Sequence, residues 1–186
     1  GYGPGAGASL SGDYPGGGGP DGGDGGDAVF AGIRAGGNAY GSTTNPVQIG
    51  SSGGNAGAAA TGGEGGGLAI ITVAGTTTID GIVTADGTDG RAGQLSRGGG
   101  GAGGGINLTT GGFEGSGVIR ANGGDSPNAS RQGAGGSGGR IAIKLTSGST
   151  TNFNIQSYGG NAFGAGDKGA AGTMFTKQAS QTFGDL

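Results

Sequence analysis

The chain is built from glycine runs, each leading into a short apolar burst. GGEGGGLAIITV (Gly62 to Val73), GGGGAGGGINL (Gly98 to Leu108) and GAGGSGGRIAIKL (Gly133 to Leu145) are the clearest, and KGAAGTMFTK (Lys168 to Lys177) is a weaker fourth. Their first apolar residues, Leu68, Ile106, Ile141 and Met174, stand 38, 35 and 33 residues apart. A second landmark follows the first three bursts: TADG (Thr84 to Gly87), RANGG (Arg120 to Gly124) and QSYGG (Gln156 to Gly160). Within it Ala85, Ala121 and Ser157 are spaced by 36 and 36. Two independent markers with nearly one period define an internal repeat of roughly 36 residues.

The repeat decides what composition leaves open. Glycine supplies 57 of 186 residues and proline 5, a balance typical of low-complexity chains with too little apolar surface to offset chain entropy. The net charge of −3 adds little repulsion, however, and the apolar residues are phased. Ile141, Ile143 and Leu145 alternate with Arg140, Ala142 and Lys144, the period of a half-buried strand. Leu68, Ile70 and Thr72 alternate in the same way with Ala69, Ile71 and Val73. Ala74-Gly75, Asp80-Gly81 and Asn122-Gly123 read as turns. No segment has helical periodicity, and glycine costs a helix about 1 kcal/mol per residue.

The glycine runs are themselves phased in triplets. From Gly53 the chain reads GGN-AGA-AAT-GGE-GGG, with Asn55, Thr61 and Glu64 at third positions. GPD-GGD-GGD places Asp21, Asp24 and Asp27 likewise, and Ala134, Ser137 and Arg140 follow suit. Three residues per turn is the polyproline-II period. Such a strip, small on two of its three edges, can pair its backbone with neighbours, and the third position reads as its outward edge. The expected fold is therefore all-β: a repetitive, solenoid-like stack of short β-strands with Gly-rich, polyproline-II-like extended segments. Residues 1–61 form a Gly-rich cap or atypical repeat, and 62–186 hold about three and a half repeats of roughly 36 residues within one structural domain.

Several chemistries are excluded or poorly served. With no Cys and no His, there is no disulfide, thiolate metal site, Cys nucleophile or His base. No apolar run approaches a membrane span. Nine basic residues against twelve acidic ones, without a basic run, offer nucleic acid no footing. Asp80, Asp86 and Asp89 could pair as carboxylates but sit on DG or similar turns, where Asp is a turn residue. GAGGSGG (Gly133 to Gly139) precedes a strand rather than a helix, so it is no dinucleotide fingerprint. Threonines at 76–78, 109–110 and 150–151 shift relative to the strands and read as β-formers. Aromatic residues such as Tyr2, Tyr14, Tyr40 and Phe113 are dispersed, unlike a sugar-binding platform.

One metal motif stands out. GGDGGDAVF (Gly22 to Phe30) fits the nonapeptide of calcium-binding β-rolls, making Asp24 and Asp27 calcium candidates, with Asp13 and Asp21 nearby. Such rolls bind calcium between successive copies, and only one copy is present. The plainer reading is a strip edge bearing solvated aspartates, with no cofactor.

The order YGSTTNPVQIGSSGG (Tyr40 to Gly54), GGGLAIITVAGTTTIDGIVTADG (Gly65 to Gly87), GGGINL, SGVIRANGGD, GGSGGRIAIKL and GAAGTMFTKQASQTFGDL resembles the Gly-rich repeats of very large bacterial adhesin-like surface proteins. Those proteins are generally read as β-solenoids. The resemblance covers nearly the whole chain, most clearly Tyr40 to Leu186, and implies extracellular display, continuation beyond Leu186 and no catalytic residues. The expected function is a non-catalytic structural module of an extracellular surface or filament protein. Its partners are copies of itself or neighbouring repeats of a longer chain. The alternative is an adhesin-type domain recognising glycans or a partner surface through the loops Arg91 to Arg97 and Asp125 to Gln132.

Overall fold

The computed structural model describes residues 3–9, 14–57, 60–128, 131–148 and 153–186. Tyr2, Asp13, Thr150 and Thr151 lie outside these residues. The apolar bursts form the main strands. β3 (Leu68–Thr78), β5 (Gly105–Glu114), β7 (Arg140–Leu145) and β9 (Thr173–Lys177) make one parallel sheet in that order. The second landmarks start from β4 (Ile82–Thr84), β6 (Val118–Arg120) and β8 (Ile155–Gln156), which make a second parallel sheet. A small antiparallel pair, β1 (Ala28–Val29) with β2 (Ile33–Arg34), completes the strands among the described residues.

This arrangement corrects the expected solenoid-like stack of short strands. The larger strands lie in two open parallel sheets, of four and three strands, and the described residues hold no helix and only 30% strand. Parallel sheets of this kind ordinarily carry crossover helices. Here glycine strips make the crossovers. The strands are also not uniformly short: β3 has 11 residues and β5 has 10. Ala74-Gly75, read above as a turn, lies inside β3. The pairing with β5 absorbs it as a register shift between Val73 and Thr76.

The core lies where the two sheets meet. Ile106 and Leu108 of β5, Ile141, Ile143 and Leu145 of β7, and Ile119 of β6 form it, with Ala85 and Ala121. Register aligns Ala69, Ile106 and Ile141 across three strands, and Ile71, Leu108 and Ile143 likewise. On β3 it is therefore Ala69 and Ile71 that pack against the core. Leu68 and Ile70 face away, 38% and 58% exposed. The opposite face of the larger sheet is covered at β5, where Asn107 Nδ2 donates to Asn45 Oδ1 at 2.8 Å.

The glycine runs form a hydrogen-bonded array continuous with the sheets. Every amide from Gly98 to Gly105 donates to another segment. Gly98, Gly101 and Gly104 donate to Arg91, Thr88 and Ala85; Gly99 and Ala102 to Gly54 and Ser51; Gly100 and Gly103 to Ala134 and Ser137. Every third residue thus meets the same neighbour, the hydrogen-bond period that a three-residue-per-turn strip produces. The run from Ala134 to Gly139 repeats the pattern: 134 and 137 donate to Gly16 and Gly19, 135 and 138 to Asp167 and Ala170, 136 and 139 to Gly124 and Ala121.

Space, more than backbone freedom, accounts for most of these glycines. A Cβ at Gly98, Gly101 or Gly104 would overlap the carbonyl of Thr61, Glu64 or Gly67 on the preceding segment. Gly133, Gly136 and Gly139 abut the carbonyls of Gly98, Gly101 and Gly104 in turn, and Gly166, Gly169 and Gly172 abut those of the next run. The third position is not always an outward edge, however. Ser137 is 0% exposed: it accepts the Asp21 N–H at 2.8 Å and faces the strip from Gly16 to Gly22.

Candidate functional site

The aspartates of the first strip separate in the structure. Asp24 Oδ1 accepts the Ala39 N–H at 2.6 Å, and Asp27 Oδ1 accepts the Gly36 N–H at 2.8 Å. Both carboxylates thus pin the strip that follows β2. Asp21 goes elsewhere, into a buried pair with the Arg140 guanidinium. Among the described residues no three acidic side chains gather as metal ligands.

The Asp21–Arg140 pair is a buried ion pair, with side-chain exposures of 1% and 6%. It ties the first glycine strip to the start of β7. The Arg140 guanidinium also lies 5.5 Å from the Tyr40 ring centre, and the Tyr40 hydroxyl donates to the Ile49 carbonyl at 2.6 Å. Burial pushes the Asp21 carboxyl up to about 7, outweighing the opposing pull of Arg140. The sequence named Asp21 only as a neighbour of the calcium candidates and did not pair it with Arg140, because each belonged to a triplet read as a solvent edge.

The carboxylates considered as catalytic pairs instead act one repeat apart. Asp86 Oδ1 accepts the Asn122 N–H at 2.7 Å, and Asn122 Oδ1 accepts the Tyr158 N–H at 2.9 Å. Beside them Asp89 Oδ1 accepts the Asp125 N–H at 2.7 Å, and Asp125 Oδ1 accepts the Asn161 N–H at 2.6 Å. Asp80 Oδ1 reaches the Ser116 N–H at 3.2 Å across the same step. These ladders join the repeats along the strips that continue the smaller sheet. Their signal was present as Asp or Asn recurring at 36 residues, the separation of every one of these bonds.

The described parts of the loops singled out for recognition lie together, residues 129–130 falling outside the described residues. Ser96 bridges to Arg131, the Arg97 N–H donates to the Arg131 carbonyl at 3.1 Å, and Ser126 Oγ donates to the Gly98 carbonyl at 3.0 Å. Next to the Arg91 end a cavity of about 700 Å³ opens between strips, lined by Asn55, Thr61, Glu64, Thr88, Asp89 and Arg91 among others. No helix among the described residues is long and apolar enough to cross a membrane. Comparison with known protein families, curated proteins and solved structures finds no match to this chain.

Proposed function

We propose that the chain is a non-catalytic structural module of an extracellular surface or filament protein, associating with copies of itself. The observation that carries this reading is the outer edge of β3. It runs 11 residues beside β5 with no strand on its other side among the described residues, and it exposes Leu68 and Ile70. A long, partly apolar edge is a ready template for pairing with another chain. The array behind it offers a stiff body, since its strips are bonded laterally at nearly every residue. The resemblance to adhesin-like surface repeats supports display outside the cell.

Electron micrographs of the purified chain over a range of concentrations test this reading. The expected result is fibres or regular chains of particles that a Lys at Ile70 reduces. Monodisperse single particles under all conditions contradict it. A second reading, recognition of a glycan, is favoured only by the cavity at Asn55, Glu64 and Arg91. Binding on a glycan array that Arg91→Ala abolishes would select it.

A further inference from the structure

Six times in this chain an Asp or Asn is followed by glycine: Asp21-Gly22, Asp24-Gly25, Asp80-Gly81, Asp86-Gly87, Asp89-Gly90 and Asn122-Gly123. Such a pair can rearrange without a catalyst. The glycine nitrogen can swing onto the side-chain Cγ of the residue before it, and glycine has no Cβ to obstruct the approach. Closure requires the peptide plane between the two residues to turn, so the N–H must leave any acceptor that holds it. A pair locked in the fold therefore reacts only when that region opens.

In five of the six pairs the glycine N–H is a bond of the array. Gly22 donates to Gly138 at 3.0 Å, Gly25 to Gly37 at 2.9 Å, and Gly87, Gly90 and Gly123 to Asn122, Asp125 and Tyr158 at 2.8 Å. Their side chains are held as well. Asp21 is paired with Arg140, and Asp24, Asp86, Asp89 and Asn122 accept the amides of Ala39, Asn122, Asp125 and Tyr158 at 2.6 to 2.9 Å. Asp80-Gly81 differs on both counts. The Gly81 N–H has no acceptor among the described residues, and the Asp80 bond to the Ser116 N–H is the longest of the set at 3.2 Å. Both residues are exposed at the corner between β3 and β4, and nothing lies within 4 Å of a Cβ built on Gly81.

We propose that Asp80-Gly81 is a self-modifying site, at which aspartate converts through a succinimide to isoaspartate while the other five pairs are protected by the glycine array. The Gly81 nitrogen loses its proton to solvent and bonds to Asp80 Cγ, and one carboxyl oxygen leaves as water. Water then adds to the ring and breaks one of its two C–N bonds. Breaking the bond at Cγ restores aspartate. Breaking the bond at the Asp80 main-chain carbonyl carbon leaves the chain running through Cγ, one methylene longer. Nothing is oxidised or reduced, and water is the only co-reactant. The longer main chain falls at the corner joining the two sheets, where Gly117 and Val118 donate to the Ile79 and Gly81 carbonyls on either side. The inference goes beyond the functional reading, since it holds whether or not copies pair through β3.

The test incubates the full-length chain in neutral buffer, folded and, in parallel, unfolded in guanidinium chloride. Samples are digested at intervals, and electron-transfer fragmentation tells isoaspartate from aspartate at each position. In the unfolded chain Asn122-Gly123 should convert first, because an amide closes without the protonation that a carboxylate needs. In the folded chain the order should invert. Asp80 should lead the other five pairs by about tenfold or more, because those react only in the small fraction of molecules that are locally open. Asp80→Asn should quicken the folded chain's conversion at this position and release ammonia, and Asp80→Glu, which would have to close a larger ring, should abolish it. A folded chain in which Asn122 or any of the four held aspartates converts as fast as Asp80 overturns the proposal. So does an Asp80 that folding slows as much as it slows the other five.

Discussion

Gly136→Val is expected to cost more than about 4 kcal/mol, in the range reserved for exceptional substitutions. A Cβ at Gly136 would overlap the Gly101 carbonyl, and one at Gly135 the Gly160 carbonyl. Both obstacles are backbone, so no side chain can swing aside. Separating the strips to make room breaks the Gly136 bond to Gly124 and strains its neighbours in the same rows. Gly67→Ala supplies the control. It occupies the register of Gly104, yet nothing lies within 4 Å of a Cβ built there. Its melting temperature should stay near wild type, because its effect should fall within about 0.5 kcal/mol. Gly104→Ala should fall with Gly136→Val. Thermal or denaturant melts of the three variants measure the difference, and a tolerant Gly136 would mean the strips are not packed.

Asp21→Ala carries the second large effect, about 3–5 kcal/mol by denaturant unfolding, because it leaves a buried guanidinium without its partner. Arg140→Met should cost less. A carboxyl can protonate when deserted, whereas arginine stays charged. The same pair gives a pH dependence. With the folded Asp21 lifted to about 7 from its ordinary 3.8, the folded state holds its proton more tightly than the unfolded one. This contribution to stability is complete below about pH 4 and is lost as pH rises through about 7. Relative to Asp21→Asn, the wild-type chain should therefore lose stability between those limits and level off above them. A wild type that gains on Asp21→Asn across that window would show that Arg140 keeps the carboxylate ionised throughout.

Much of the organisation was legible because the repeat is written in two markers. The strands fall on the bursts from Leu68, Ile106, Ile141 and Met174, to within a residue or two. What sequence could not supply was the set of neighbours. Ser137 and Arg140 looked like outward positions, since nothing local reveals that the strip from Gly16 to Gly22 lies over them. Asp86 and Asp89 looked like turn residues because a carboxylate reaching the next repeat needs a packing distance that only the fold sets. Ala74-Gly75 has the composition of a turn, yet pairing along β5 on both sides carries the strand through it. The solenoid expectation failed for a related reason. Period shows that units recur, whereas sheet form depends on how far each pairing extends.

The central claim is that the glycine runs are a hydrogen-bonded solid rather than tethers between strands. Backbone amide hydrogen exchange, resolved by residue, tests it most directly. Amides from Gly98 to Gly105 and from Ala134 to Arg140, all of them donors, should exchange as slowly as those of β5 and β7. Those of Gly159, Ala162, Lys168 and Ala171, which lack acceptors among the described residues, should exchange near the open-chain rate. Glycine-run amides that exchange as fast as those four would contradict the account.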